Sequence, residues 1–443
     1  MLNFYIDEKG PQETYQIEDT KDPMFTEKLK YGSDNMHNYV GAAVEMIDSK
    51  EQDIGNQLIK LEDDFKSSQM KGKELKGKDI VKNKIFEYGI ASMRSKEVQF
   101  YTDLLELLNK EDVQPCIYII NKMSYLVSAK LRDWILLVSD CEDINPYTLK
   151  FIFIFTGYLE TEGNRDDIKA LLDENVNVYR LLKVISKNLK LFIKENSNNS
   201  RMLESQIPAY KQMLKFINKY KNTKSNNNGY KNLRFNWQVV NQMFDLWLEE
   251  IINNDDNESS EEVNVYLDEG IKCSIFSSIK QVDHVYGCQH SNDVPGIRIA
   301  DYLAVIYGKL LQTLLDHSQY DRKKPKNQKL IETSFFDIDE KQFNLLKLLY
   351  KYIFMNNCHY NVMRDCYYKD EVRLENYLSY FNTFKTFKQY HAIDNIKHRN
   401  KENDQLMDTL KKVSRGYDNQ AYKIRHSYQS YREAFADNKL VDL

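Results

Sequence analysis

The chain has 443 residues, of which 42% are hydrophobic and 29% are charged, and its formal net charge is −4 at pH 7. This apolar fraction excludes an intrinsically disordered chain, and the length exceeds what one hydrophobic core usually serves, so two or three domains are expected. The small net charge conceals an uneven distribution, because residues 175–224 hold eleven Lys or Arg and two acids, whereas 245–262 hold eight acids and no basic residue.

Secretion and membrane insertion are not indicated. Asp7 and Glu8 arrive before any apolar run that resembles a signal peptide. The longest apolar stretch, around 149–159, is shorter than the ~20 residues that span a bilayer. The six cysteines form no C-x-x-C pair, a pattern typical of reduced thiols. We therefore expect a cytoplasmic protein without membrane contact.

Hydrophobic periodicity predicts an α/β protein with helical additions. The first part contains predicted strands at 2–6, 39–47 and 115–120 and predicted helices at 53–67, 79–110 and 124–138. Helical periodicity alone follows from about 145 to 250, a strand returns at 263–267, and a helix begins near Pro295. The predicted organisation is a core made of 1–145 and 263–316, a helical insertion at 146–262, and a helical extension rich in Tyr and Phe at 317–443.

Two similar segments each end in an acid pair. Tyr5-Ile6-Asp7-Glu8 is echoed by Tyr266-Leu267-Asp268-Glu269. Because alternate residues of a strand share a face, Asp7 and Asp268 occupy equivalent positions at the ends of similar strands, and Glu8 and Glu269 point away. Carboxylates brought together in this way are suitable ligands for a divalent cation. Alternatively, each acid pair simply begins a turn.

A third acid, Asp301, lies in the predicted helix beyond its first turn and among apolar neighbours. A buried carboxylate needs a partner, so we expect a metal, another cation or a protein hydrogen-bond donor beside it. The alternative is a structural salt bridge, with Arg298 or Lys309 as the partner. Asp293, just before the helix, is interpreted as an N-cap.

Glu74 and Lys76 lie in a loop flanked by glycines. A glutamate there would complete the acid cluster, and a lysine would meet a phosphate. A solvated charged loop accounts for the same composition.

Basic residues at three- and four-residue intervals form a stripe within 178–195. A phosphate backbone would follow such a stripe, since sequence-independent affinity for nucleic acid is chiefly electrostatic. A solvated helix face, or a surface that docks the acidic segment 245–262, explains the pattern equally well. The stripe consists of Arg180, Lys183, Lys187, Lys190 and Lys194.

The acidic motifs together resemble a prokaryotic family of RNase H-like proteins catalogued as a domain of unknown function (the DUF 3800 group). Members open with Y-x-D-E-S-G, carry an E-L-K-like motif and close with G-I-Q-L-A-D on a helix. The corresponding segments here are Tyr5–Gly10, Glu74–Gly77 and Gly296–Asp301, with Lys9 in place of Ser and Arg298 in place of Gln. The likeness covers about 1–145 and 263–316.

The resemblance implies an RNase H-like mixed sheet flanked by helices, with acids converging at its centre. It implies that Asp7, Glu74, Asp268 and Asp301 hold Mg²⁺ or Mn²⁺, as two ions, and that Lys76 assists catalysis. The expected function is a nuclease that hydrolyses RNA or DNA by a two-metal mechanism, and the resemblance also suggests a role in phage defence or a mobile element. The alternative is a non-catalytic nucleic-acid-binding or assembly protein with the same fold. The helical additions would bind substrate, a partner protein or a second copy.

Overall fold

The computed structural model describes residues 1–9, 36–70, 72–82, 85–140, 147–199, 206–223, 238–254, 262–318, 330–355, 361–428 and 433. Some segments on which the sequence predictions were made are not among these residues. The Gly10-Pro11 turn and residues 255–261 of the acidic segment 245–262 lie outside the described residues.

A six-stranded mixed sheet forms the centre of the described structure. Its strands, in the spatial order β5-β4-β1-β2-β3-β6, are β1 (Leu2–Lys9), β2 (Asn38–Ile47), β3 (Gln114–Asn121), β4 (Val263–Asp268), β5 (His284–Gln289) and β6 (Val362–Arg364). The β1–β2 and β2–β3 pairs are antiparallel, and the β1–β4, β4–β5 and β3–β6 pairs are parallel. The prediction of an α/β protein is therefore confirmed.

Helices cover both faces of this sheet. In chain order they are α1 (Asp48–Phe65), α2 (Gly77–Ile80), α3 (Ser95–Lys110), α4 (Lys122–Asp140), α5 (Tyr147–Thr161), α6 (Arg165–Leu172), α7 (Val178–Glu195), α8 (Gln206–Tyr220), α9 (Gln238–Asn254), α10 (Cys273–Phe276), α11 (Pro295–Ser318), α12 (Glu340–Phe354), α13 (Lys369–Asn382), α14 (Phe387–His391) and α15 (Asn395–Ser427). Among the described residues, no helix combines the length and apolar character required to cross a membrane.

The alternation of side chains along the strands divides the interior into two cores. Phe4 and Ile6 face the first core, which they share with helices α4 to α10. Tyr5 faces the second core, formed with α1, α3, α11 and the C-terminal helices α12 to α14. We call these two faces the insertion side and the α11 side. The helical insertion thus covers one face, and the C-terminal extension helps to cover the other.

Three predictions about individual elements were wrong. The continuous helix at 79–110 is broken into α2, a 3₁₀ turn at Gly89–Ser92 and α3. Gly89 adopts φ +61°, a left-handed conformation that ends a helix. Strand β5 was missed because its exposed and half-buried residues give no apolar face. Strand β6, only three residues long, interrupts the extension that was predicted to be entirely helical.

Candidate active site

The paired acidic segments meet at one end of the sheet. Strands β1 and β4 are parallel neighbours in a register that aligns Tyr5 with Tyr266 and Ile6 with Leu267. The next residue of each strand is an aspartate, so Asp7 and Asp268 lie side by side where β4 ends and β1 continues for two more residues beside β2. Both follow the alternation of Tyr5 and therefore face the α11 side. The two aspartates therefore occupy equivalent positions on similar strands, as predicted, but only Asp268 ends its strand, because β1 extends to Lys9 instead of ending at Ile6.

Helix α11 brings the third aspartate to the same place because two glycines allow close packing. A Cβ atom at Gly296 would overlap the ring of Tyr5, so this glycine lets the start of α11 lie directly on β1. A Cβ atom at Gly77 would lie 2.8 Å from Val305. The Gly77 amide instead donates a hydrogen bond of 2.6 Å to Oδ2 of Asp301. The contact joins the Glu74–Lys76 loop to the helix.

The three aspartates influence one another electrostatically. Burial raises the pKa of Asp7 well above its usual range, and the charges of Asp301 and Asp268 raise it further. The Glu8 amide opposes this by donating a 2.6 Å hydrogen bond to Oδ1 of Asp7. Burial also raises the pKa of Asp268, against hydrogen bonds from the Glu269 amide and from the Asp7 carboxyl. Asp7 and Asp268 are therefore within hydrogen-bond reach of each other, and Asp301 acts on Asp7 through its charge.

The Glu74–Lys76 loop completes this cluster. The hydroxyl of Ser291 donates a hydrogen bond to Oε1 of Glu74, and Nζ of Lys76 lies 3.6 Å from Oε2 of the same side chain. Partial burial lowers the pKa of Lys76, but nearby carboxylates outweigh it and raise the pKa overall. Those carboxylates are, in order of effect, Glu74, Asp301, Asp268 and Asp7. The four predicted catalytic acids thus lie within electrostatic reach of the fifth predicted catalytic residue, Lys76.

These five residues line an open cavity of about 1250 Å³. Beyond the acids, its wall follows one face of α11 at positions 301, 305, 309, 312 and 316, the spacing of one helix face. The sequence had suggested Lys309 only as a salt-bridge partner of Asp301, although the helical period also places it on the cavity wall. Further basic groups on the wall are Lys78 and Lys82, which share the segment after Lys76 and carried no separate sequence signal.

A β-bulge lies beside Asp268. In the pairing of β4 with β5, Tyr266 is opposite Tyr286, but Asp268 is opposite Gln289, so β5 contains one extra residue. Cys288 adopts φ +52°, a left-handed conformation that is uncommon for residues other than glycine. Bulges bend a strand and redirect a side chain, and they are common next to active sites. No sequence pattern indicated this bulge.

Three predictions near α11 require correction. Asp301 is half-buried rather than enclosed by apolar neighbours, because one side of it faces the cavity. Arg298 forms a buried ion pair of 2.7 Å with Glu62 instead of the predicted salt bridge with Asp301. Asp293 lies two residues before the first helical residue, Pro295, and so does not occupy the N-cap position. Arg298, which stands where the motif has Gln, therefore has a structural role, joining α11 to α1 through Glu62.

The chemistry of the donors fits a divalent cation, but they do not form a finished cage. Carboxylate oxygens are the hard ligands that Mg²⁺ takes. Within the residues that the structure describes, no group of three or more His, Cys, Asp or Glu is arranged to hold a metal ion. Mg²⁺ usually binds through one or two carboxylates and completes its shell with water and substrate phosphates, so a preformed cage is not required.

The structure places the predicted basic stripe elsewhere. Its five residues are exposed along α7, while Leu182, Ile185 and Leu189 on the opposite face of the helix are buried. The amphipathic pattern is therefore confirmed. Helix α7 packs into the core of the insertion side, however, and contributes no described residue to the cavity. The acids and the stripe lie in different layers.

Comparison of the chain with family models found no match, and neither did comparison with curated proteins or with solved structures. The likeness to the RNase H-like family rests on the motifs themselves.

Proposed function

We propose that this protein is a divalent-metal-dependent phosphodiesterase with an RNase H-like core, and that it cuts RNA or DNA in the α11-side cavity. The observation that carries the proposal is the convergence of Asp7, Asp268 and Asp301 from two strands and a helix, which raises the pKa of Asp7. Acids that merely begin turns would have no reason to meet at the open wall of a cavity.

The acidic and basic residues of the cavity would have different roles in hydrolysis. Asp7, Asp268 and Asp301 would hold the cations, with Glu74 as a further oxygen ligand. When bound, two such ions activate the attacking water and stabilise the leaving oxygen. Lys76 remains protonated beside these carboxylates and is exposed, so its ammonium group orients a phosphate. Lys78, Lys82 and Lys309 extend the positive charge along the wall.

The raised pKa of Asp7 has a consequence for metal affinity. Carboxylate ligands must be deprotonated before they bind a metal, so binding releases the proton that Asp7 holds. Affinity for Mg²⁺ and the cleavage rate should therefore rise together with pH until Asp7 is fully ionised. A nuclease whose acids were already ionised would lack this dependence.

A cleavage assay tests the proposal. The purified chain is given single-stranded and double-stranded RNA and DNA with Mg²⁺ or Mn²⁺, with and without EDTA. We expect chelator-sensitive cutting that Asp301→Asn abolishes. Asp408→Asn, at an exposed acid of α15 that pairs with Lys411, is the matched control and should cut normally. The proposal fails if no substrate is cut, or if cutting persists equally in Asp301→Asn.

A second function is favoured by one observation, the exposed basic stripe on a layer that does not share the cavity. A non-catalytic protein would bind nucleic acid through α7, and this binding would be insensitive to EDTA. Replacing Arg180, Lys183 and Lys187 by alanine would abolish it. The cellular role, in phage defence or a mobile element, is proposed on the family resemblance alone.

A further inference from the structure

Three tyrosines form a continuous stack across the sheet beside the acids. Tyr5, Tyr266 and Tyr286 are register partners on β1, β4 and β5. The ring centroids of Tyr5 and Tyr266 are 4.9 Å apart with an interplanar angle of 15°. Those of Tyr266 and Tyr286 are 4.8 Å apart at 18°. Directly paired residues on neighbouring strands thus present parallel rings at an almost constant repeat.

The stack passes from the core to the surface. Tyr5 is fully buried, Tyr266 is partly buried, and Tyr286 is 41% exposed. Strand β5 is the last in the sheet order, and no described strand pairs with its outer edge. The inner face of the Tyr286 ring is covered by Tyr266, and the next position of the stack falls beyond the edge of the sheet.

The exposed end of the stack is close to the carboxylates. Tyr266 precedes Asp268 by two residues on the same face of β4, which corresponds to about 7 Å along a strand. Tyr286 lies one strand further out, about 5 Å to the side. A nucleotide whose phosphate lay at Asp7 and Asp268 would therefore have this ring within reach of a neighbouring base.

The charges around the stack determine whether the phosphate or the base of a nucleotide can bind there. The carboxylates of Glu51, Asp48 and Glu262 act on the phenol of Tyr266, so this region is negatively charged. A phosphate would be repelled, whereas an uncharged base would not. The basic groups of the cavity wall, among them Lys76 beside the carboxylates, suit the phosphate backbone.

We propose that the outer face of Tyr286 binds an unpaired nucleobase of a single-stranded substrate by stacking. The proposal rests on the proposed function, because it takes the scissile phosphate to lie at Asp7, Asp268 and Asp301. Bases within a duplex already stack on their neighbours, whereas single strands offer free base faces to aromatic side chains. The stack therefore favours single-stranded nucleic acid over duplex and tolerates different bases.

Binding of a short single-stranded oligonucleotide tests this directly. Fluorescence anisotropy is measured with Mg²⁺ in an Asp7→Asn background, so that cleavage does not interfere. Tyr286→Ala should weaken binding about 5- to 100-fold, since base–aromatic stacking is worth about 1–3 kcal/mol per base. Tyr286→Phe keeps the ring and should bind within about twofold of the parent. Met407→Ala is the matched control and should bind like the parent, because Met407 is a large apolar side chain that is 41% exposed on α15 and does not line the cavity.

An oligonucleotide with abasic sites supplies the second arm. It should bind Tyr286→Ala and its parent equally, since the lost contact is to a base. Equal affinity of parent and Tyr286→Ala for the natural oligonucleotide would overturn the proposal, as would no binding at all. A change in oligomeric state on Tyr286→Ala, without a change in affinity, would also overturn it and identify the β5 edge as a protein interface.

The two proposals fail in distinguishable ways. If the wild-type chain cuts nucleic acid but Tyr286→Ala binds normally, the nuclease stands and the stacking site does not. If Tyr286→Ala loses base-dependent binding but the wild type cuts nothing, the stacking site stands and catalysis does not.

Discussion

The acid cluster and the basic stripe, the two charged features that stand out in the sequence, lie on opposite faces of the sheet. They differ in how their residues are brought together. On the α11 side, acids from β1, β4, α11 and the loop before α2 converge on one cavity. On the insertion side, the basic stripe occupies a single helix whose inner face is packed into a core. Amphipathic packing alone explains the stripe, whereas it does not explain why acids distant in sequence should meet.

The largest expected effect concerns the acid cluster. Asp7→Asn should reduce cleavage at least about 1000-fold, because loss of metal-based charge stabilisation is worth several kcal/mol. In the absence of metal, the melting temperature of this variant should equal or exceed that of the wild type, since burial and neighbouring charges disfavour ionised Asp7. Cleavage rates and thermal unfolding of the same preparation check both parts. Residual cutting within tenfold of wild type would remove Asp7 from the site.

The close approach of α11 to β1 gives the next prediction. Gly296→Ala places a methyl group in the ring of Tyr5, and overpacking of this kind costs about 1–3 kcal/mol. Cleavage should fall as well, because the helix carries Asp301. Denaturant unfolding measures the first effect. The control is Gly416→Ala on α15, where a Cβ meets nothing within 4 Å, so stability should be unchanged or slightly higher.

The buried imidazole of His37, beside the cavity-lining Asp316, should make the stability of the fold sensitive to acid. Burial, then the charge of Lys122, lowers the pKa of His37 to about 3, and the exposed Asp316 carboxylate 3.8 Å from Nε2 does not offset this. The unfolded chain takes up a proton near pH 6.5 and the folded chain does not. The free energy of unfolding should therefore fall between pH 6.5 and 3 by up to about 1.4 kcal/mol per unit.

Urea unfolding at several pH values, compared between wild type and His37→Gln, isolates this contribution. The variant should show a shallower loss of stability on acidification. Parallel pH profiles for the two proteins would mean that His37 is protonated equally in the folded and unfolded states.

The smallest effect is expected on the insertion side. The double variant Lys183→Ala/Lys187→Ala should change cleavage by less than about twofold, whereas Lys78→Ala/Lys82→Ala should lower kcat/KM roughly tenfold through lost phosphate contacts. The salt dependence of kcat/KM should weaken only in the second variant. If the α7 variant instead lost more activity than the Lys78→Ala/Lys82→Ala variant, substrate binding would be assigned to α7 on the insertion side.

Local patterns predicted much of the fold and part of the site. Alternation and helical periodicity located the central strands and most helices, because burial on one face imposes a period on the sequence. Strand β5 was not predicted, because an edge strand with exposed residues shows no alternation of apolar and polar side chains. The site was found through Asp7, Asp268 and Asp301, yet Lys309 was not assigned to it, although it lies two turns after Asp301 on the same helix face.

The sequence by itself determined which residues carry charge and which faces of the elements are apolar, since both follow from composition and spacing. It therefore determined the equivalent positions of Asp7 and Asp268 on similar strands and the exposure of the α7 stripe. Only the tertiary structure decided which of these charges meet. That outcome depends on strand register and on close packing at Gly296 and Gly77, which involve residues far apart in the chain. The same register creates the tyrosine stack, which no single segment encodes.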